Sequence, residues 1–354
     1  AQGGDQADLR YLRGRARFDQ KKWSEAVTDF DVVVQRAPDE ARALFYRGRA
    51  LNRMERYQAA LNDLDKAPDV SGDATLPYER ALAHYYLEAY APAHEVLNEV
   101  LTRDANHPAA WQLRADICYA EGRADAAETA YGKVIELDGE NEQALRRRGT
   151  LRNQRGDWAG ARADFGQAIA LKPTRDSHFG RAWAAYQDEY YDVAMQDFDA
   201  VLKLAPKDTA ALFYRGDISL TLERGREAIT FLDRLLEQEP AHHPALVRRA
   251  SARALQSDHA GAIEDYSAAL DLQPGDGRLH YRRAVARLES EDYEGALADL
   301  DQVVTLMPDE AEAYSGRANV KLRVEDYDGA CSDWQESLKR GNLAAKAMLR
   351  QYCP

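Results

Sequence analysis

The sequence predicts an all-α fold, an α-solenoid of tandem helix pairs. Three observations point to it: a period of 33 or 34 residues repeated along the chain, two stretches of helical apolar spacing in each period, and proline near many period ends. The period is read from a recurring cluster. Trp23, Ala26, Asp29 and Phe30 return as Tyr57, Ala60, Asp63 and Leu64, as Trp158, Ala161, Asp164 and Phe165, and as Tyr191, Ala194, Asp197 and Phe198. The spacing continues in Ala262, Asp265 and Tyr266, in Tyr293, Ala296, Asp299 and Leu300, and in Tyr327, Ala330, Asp333 and Trp334. Anchored on that alanine, repeats begin at Ala7, Ala41, Ala74, Pro108, Glu142, Arg175, Thr209, His243, Gly277 and Ala311. Ten repeats then occupy residues 7–344, with a tail at 1–6 and a C-terminal capping helix at 345–354.

Each repeat opens with one helix, turns, and returns with a second. In the seventh, Leu212 and Gly216 mark the inner face of the first helix, and Ala228, Leu232 and Leu235 that of the second. Pro38, Pro173, Pro206, Pro240, Pro274 and Pro308 close second helices, because the ring fixes φ and removes the N–H that propagation needs. Strands have no room in this period. Repeat 2 departs from the pattern. Pro68, Gly72 and Pro77 interrupt it, so its second helix is expected to stop near Ala67, with either a bend in the stack or a shortened helix in normal stacking. The last repeat would expose an apolar face without a lid. Residues 342–353 read as that lid, a helix with Leu343, Ala347 and Leu349 or Met348 turned inward.

The charge balance narrows the partners. Lys and Arg number 47 and Asp and Glu 60, a formal charge of −13, which argues against nucleic acid or anionic lipid as the main partner. No apolar run approaches the roughly 18 residues needed to span a bilayer, so no membrane insertion is expected. HExxH, GxSxG, phosphate-loop and GxGxxG patterns are missing, so the reading is no enzyme, no cofactor and no metal. His242 and His243 adjoin at a repeat junction, without the carboxylate spacing a metal site would need.

With these residues in register, the sequence resembles the tetratricopeptide repeat family over nearly its whole length. The family places a small residue at repeat position 8, read here as Gly14, Gly48, Ala81, Ala115, Gly149, Ala182, Gly216, Ala250, Ala284 and Ala318, and Ala at position 20, present in all ten. Small residues there let the two helices of a repeat cross closely. The resemblance implies a right-handed superhelix acting as a non-enzymatic scaffold that binds a protein or peptide segment. It also implies a concave groove lined by first helices, with positions 2, 5, 9 and 12 facing into it.

Aromatic residues at position 5 are ordinary in the family, but repeat 6 departs from that background. Phe179, Trp183 and Tyr186 occupy positions 5, 9 and 12, with Phe213 expected one helix away and Arg146 on the other side. Such residue types dominate binding energy in a concavity, so this set is either a ligand anchor or local packing. Repeat 3, with Tyr78, Leu82 and Tyr85, is the second candidate. Family members that grip acidic chaperone tails carry Lys at 5 and Asn at 9. Repeat 10 has Asn319 at 9 but Ser315 at 5, so that activity is not implied.

Position 7 is Arg in every repeat and position 23 is Asp in seven. The alternatives are a polyanion-binding stripe or structural ion pairs, and the Asp column favours bidentate pairs: Arg13 with Asp29, Arg47 with Asp63, Arg148 with Asp164, Arg181 with Asp197, Arg249 with Asp265, Arg283 with Asp299, and Arg317 with Asp333. Val96, Ala130 and Phe231 replace Asp elsewhere, so Arg80, Arg114 and Arg215 need other partners. Of three cysteines, Cys118 sits at a core position. Cys331 falls at position 21 of the last repeat and Cys353 near position 9 of the capping helix, and antiparallel neighbours pair early with late positions, so they either form a disulfide that pins the cap or remain two buried thiols. The start Ala-Gln-Gly-Gly, without Met, fits signal-peptide removal or Met trimming. Export from a bacterial cell, to the periplasm or beyond, is expected, with the cytoplasm as the alternative.

Two functions follow. The first is a scaffold holding a protein segment along its groove. The alternative is a self-assembling subunit, whose partners are copies of itself in an extracellular helical filament or tube.

Overall fold

The computed structural model describes residues 2–68 and 72–353, the first four of them as backbone only. Among these residues every regular element is an α-helix and no strand forms. No described helix is long and apolar enough to cross a membrane. The chain divides into two compact units, Ala1–Pro173 and Thr174–Pro354. The first unit runs α1 (Gln2–Asp19), α2 (Trp23–Arg36), α3 (Ala41–Arg53), α4 (Tyr57–Leu64), α5 (Thr75–Tyr86), α6 (Tyr90–Arg103), α7 (Pro108–Ala120), α8 (Ala124–Leu137), α9 (Glu142–Arg155) and α10 (Trp158–Leu171). The second runs α11 (Arg175–Gln187), α12 (Tyr191–Leu204), α13 (Thr209–Thr221), α14 (Gly225–Leu236), α15 (His243–Leu255), α16 (His259–Leu272), α17 (Gly277–Glu289), α18 (Tyr293–Leu306), α19 (Ala311–Arg323), α20 (Tyr327–Lys339) and α21 (Ala345–Tyr352).

Local chemistry sets these boundaries. Asp157, Asp258, Asp292 and Asp326 cap second helices by accepting from the backbone N–H of the glycine three residues on, at 2.9–3.0 Å. Asn141 and Asp208 do the same for first helices, and so do the imidazoles of His107 and His242 through Nδ1. The His242 ring is thus committed to a cap. The turn inside each hairpin passes through a left-handed residue, filled by Gly122 and Gly156 in two cases, by Glu55, Glu88, Glu189, Glu223, Glu291 and Glu325 in six, and by Lys21 and Ser257 in the other two.

Within a hairpin the second helix lays a large side chain over position 8 of the first. Gly48 shows why that position is small: a Cβ there would meet Leu64 Cγ at 2.7 Å and the Ala60 carbonyl oxygen at 3.2 Å. The covering side chains Phe30, Leu64, Phe165, Phe198 and Leu232 are all at most 2% exposed. Each contributes about 1.5–3 kcal/mol by leaving water. In the second unit one core runs from Ala182 in α11 through Leu212 and Leu246 to Ala286 in α17.

Two expectations change, and in repeat 2 the shortened helix is the alternative that holds. The helix α1 starts at Gln2 rather than Ala7, so residues 2–6 of the expected tail are helical. Gly3 and Gly4 cost about 1 kcal/mol each relative to Ala, which does not stop the ladder from extending past them. In repeat 2 the second helix is short, eight residues ending at Leu64, yet packing continues across it. Leu76 of α5 joins the core of α3 and α4, and the buried Glu79 carboxylate takes hydrogen bonds from Asn52, Arg49 and Arg53 on α3. In the cap, Leu343 is 77% exposed and Ala347 is exposed too. Because α21 begins only at Ala345, its inward face is Ala345, Met348, Leu349 and Tyr352, and Tyr352 stacks on buried Trp334 at 5.8 Å.

Candidate functional site

The arginine column is tied down. All seven Arg–Asp pairs, from Arg13–Asp29 to Arg317–Asp333, close two hydrogen bonds between first and second helix at 2.5–2.9 Å. The carboxylates are buried. Sequence reading missed a second cation on most of them. Arg17, Arg152, Arg253, Arg287 and Lys321, one helical turn after the column, reach the same aspartates at 2.7–3.1 Å. His178 and His280 add contacts to Asp197 and Asp299 at 2.8 and 3.0 Å. The signal was present as i, i+4 basic pairs on first helices. At Asp29 the Arg13 hydrogen bond outweighs burial and holds the carboxyl below its ordinary range. At Asp299 burial pushes the carboxyl up, but hydrogen bonds from Arg283 and His280 pull it below the ordinary range.

The aromatic candidates divide. Trp183 and Tyr186 come together, ring centres 5.9 Å apart, and both close on Tyr214 at 5.1 Å. Tyr214, on the next first helix, is the residue sequence reading missed. It stands at repeat position 6, outside the set the resemblance assigns to the groove. Its ring stacks on buried Phe198 at 5.7 Å, so the cluster is anchored in the core from below. Tyr186 donates its hydroxyl to Asp217 at 2.7 Å, and Arg248 pairs with the same carboxylate at 2.6 Å. Burial and the Asp217 hydrogen bond raise the Tyr186 pKa well above its usual value, so the phenol stays protonated. Trp183, Tyr186 and Tyr214 each remain half-buried.

The remaining candidates are placed otherwise. Phe179 packs edge-on against Phe198 at 5.7 Å beneath the Arg175 guanidinium. Phe213 meets Tyr214 and His242, at 5.3 and 5.7 Å, rather than Trp183. Arg146 belongs to the first unit, where it pairs with Glu142 at 3.4 Å. Tyr78 stacks on His107 at 5.1 Å, while Tyr85 contacts Tyr86 at 5.1 Å, so repeat 3 offers two separate half-buried rings.

Two other groups carry chemistry. Cys331 and Cys353 are joined in a disulfide, Cα atoms 5.8 Å apart, which ties α20 to the chain just past α21. In the first unit His94, Cys118 and Glu121 bring nitrogen, sulfur and oxygen within 4.8 Å of one another. This trio is drawn from α6 and the end of α7, with no spacing a sequence reading could catch. The His94 ring meets Glu121 at 2.9 Å, and the Arg123 guanidinium lies 3.3 Å from the same carboxylate oxygen and 3.4 Å from His94 Nε2. A cation thus already stands where a metal ion would bind, and we read the trio as an ion-pair network.

Comparison with known proteins adds the following. The tetratricopeptide repeat profile matches residues 11–74, 78–142, 146–209, 179–242, 215–277 and 253–320. The chain is 23% identical over 295 residues to DnaJ homolog subfamily C member 7 homolog of Schizosaccharomyces pombe, covering 73% of this chain and 62% of that protein. It is 24% identical over 277 residues to DnaJ homolog subfamily C member 3 of Gallus gallus, covering 73% and 52% respectively. The chain therefore spans between half and two thirds of the length of these relatives. A tetratricopeptide repeat protein from Parabacteroides merdae superposes with a TM-score of 0.48 at 18% identity, covering 70% of this chain and 99% of that one.

Proposed function

The chain belongs to the tetratricopeptide repeat family, and from that premise we propose that it is a protein-interaction scaffold whose second unit seats a peptide segment of a partner on Trp183, Tyr186 and Tyr214. One observation carries this reading. The three rings sit on consecutive first helices, α11 and α13, half-buried and held by the core and by the Asp217–Arg248 pair. Rings already fixed lose little rotamer freedom when a ligand arrives, so the contact energy is retained as affinity. Their exposed faces offer apolar area, while Arg248 and Asp217 supply polar groups at one edge. Recognition by such a surface needs no chemistry on the ligand, in keeping with a non-enzymatic role.

The reading is tested by raising peptide binders from a random display library against the intact chain and mapping amide exchange with a bound peptide. Slowed exchange concentrated in α11 and α13 supports it. Protection confined to other helices refutes it.

We also infer that the protein works in an oxidising compartment, supported by the Cys331–Cys353 disulfide. Mass measurement of protein purified without reductant should find one free thiol, Cys118; three free thiols would contradict export.

A further inference from the structure

The column arginines draw acidic partners from two places: position 23 of their own second helix and position 25 of the preceding one. Arg47 holds Asp63 and Asp31, Arg249 holds Asp265 and Asp233, and Arg317 holds Asp333 and Asp301. Two of the three arginines without a position-23 aspartate still find carboxylates. Arg80 meets Asp65 at 2.8 Å, and Arg215 meets Asp199 at 3.0 Å and Glu227 at 2.5 Å.

Arg114 has lost both partners. Ala130 stands at its position 23, and Asn98, a neutral amide, at the preceding position 25. Its guanidinium donates to the Asn98 amide oxygen and lies 5.4 Å from the Trp111 ring, while its buried Nε has no acceptor. Burial without a compensating carboxylate pushes the Arg114 pKa below its usual value. The truncation at Ala130 also leaves space. Asn98, Arg114, Cys118, Arg123, Thr129 and Ala130 help to line a pocket of about 780 Å³ between α6, α7 and α8, open to solvent. Arg123 lines it too, its charge already paired with Glu121 at 3.3 Å, and the carboxylates of Glu121 and Asp125 share the lining, so Arg114 is the cation left for a ligand.

We propose that this pocket binds a carboxylate, which supplies from outside the anion that aspartate supplies in seven other repeats. The Arg114 fork suits two-point recognition of a planar carboxylate, and burial strengthens the pair relative to a surface contact. An acidic side chain, a free chain terminus and a small carboxylate share this chemistry. The site lies in the first unit and does not depend on the aromatic cluster of the second.

The test titrates the intact chain, in low-chloride buffer, with acetate and three blocked tripeptides: acetyl-Gly-Asp-Gly-amide, acetyl-Gly-Asn-Gly-amide, and acetyl-Gly-Gly-Gly with a free carboxylate. The readout is the NMR signals of the Trp111 indole and the Arg114 Nε–H. Acetate and at least one carboxylate peptide should shift them and the Asn peptide should not; the tighter of the two carboxylate peptides identifies the source. Arg114→Lys should weaken binding about tenfold, the loss of one charge-assisted hydrogen bond. Ala130→Asp places a carboxylate in the pocket, so it should abolish the response while the helix signal stays intact. Silence toward every carboxylate, an Ala130→Asp chain that responds like the parent, or a response to zinc chloride in place of acetate would each overturn the proposal.

Discussion

Replacing Asp299 by Ala removes the acceptor at the centre of an ion-pair site with four side-chain contacts. Arg283 donates to it at 2.9 and 2.6 Å, Arg287 at 2.8 Å, and His280 contacts it at 3.0 Å, while the Asp299 side chain is 2% exposed. Removing one partner of a buried pair costs about 3–5 kcal/mol, because the other charge stays behind unpaired. Two effects soften the loss here. Arg283 and Arg287 are 15% and 20% exposed, so water reaches both once the carboxylate is gone. Alanine is also the better helix former, by about 0.5 kcal/mol. The expected cost is therefore about 2–3 kcal/mol. Repeat arrays do not unfold in one step, so a single unfolding midpoint would blur this loss across the chain. Native-state amide exchange in α17 and α18 reads it locally. The control is Asp301→Ala, which breaks the exposed half of a pair with Arg317, Asp301 being 60% exposed, and should cost less than about 1 kcal/mol. Equal effects from the two variants would refute the structural role of the column. A double change, Arg283→Met with Asp299→Leu, should recover much of the loss, since it leaves less charge stranded.

Three further outcomes follow from the same contacts. Asp29 and Asp299 both have folded pKa values below their unfolded value of about 3.9, so their stabilisation is complete above that pH and fades as pH falls through the folded values; thermal melts should steepen in pH dependence below about pH 4, and Asp29→Asn with Asp299→Asn should flatten that dependence. Cys353→Ser opens a loop of sequence separation 22 and should lower the local stability of α21 by about 3 kcal/mol in exchange measurements, an effect that reductant reproduces in the parent. Glu223 holds a left-handed backbone at φ 57°, so Glu223→Gly should stabilise the α13–α14 hairpin by roughly 1 kcal/mol, whereas Glu223→Val should destabilise it.

The paired-helix architecture was legible because the period is carried by steric requirements that repeat. A small residue at position 8 faces a large one at position 24, and Gly48 against Leu64 shows how little freedom that leaves. Arginine and aspartate 16 residues apart in the hairpin, as in Arg148 and Asp164, are likewise visible in one dimension. What escaped depends on neighbours the period does not encode. Tyr214 joins Trp183 from the adjacent repeat, at a position the groove pattern leaves out. Leu343 faces water because α21 begins at Ala345, and no residue preference marks that start. The isolation of Arg114 needs two absences at once, at Ala130 and at Asn98, and the second becomes visible only when the preceding helix is laid beside the first.

The direct test of the proposed peptide-binding surface is the affinity of a library-derived peptide for the parent and for Trp183→Ala, measured by calorimetry with helix content checked by circular dichroism. Truncating a central aromatic anchor removes at least about 1 kcal/mol, so the variant should bind about fivefold or more weakly while melting like the parent. Equal affinity for the two chains would return Trp183, Tyr186 and Tyr214 to local packing and contradict the assignment of peptide binding to that face.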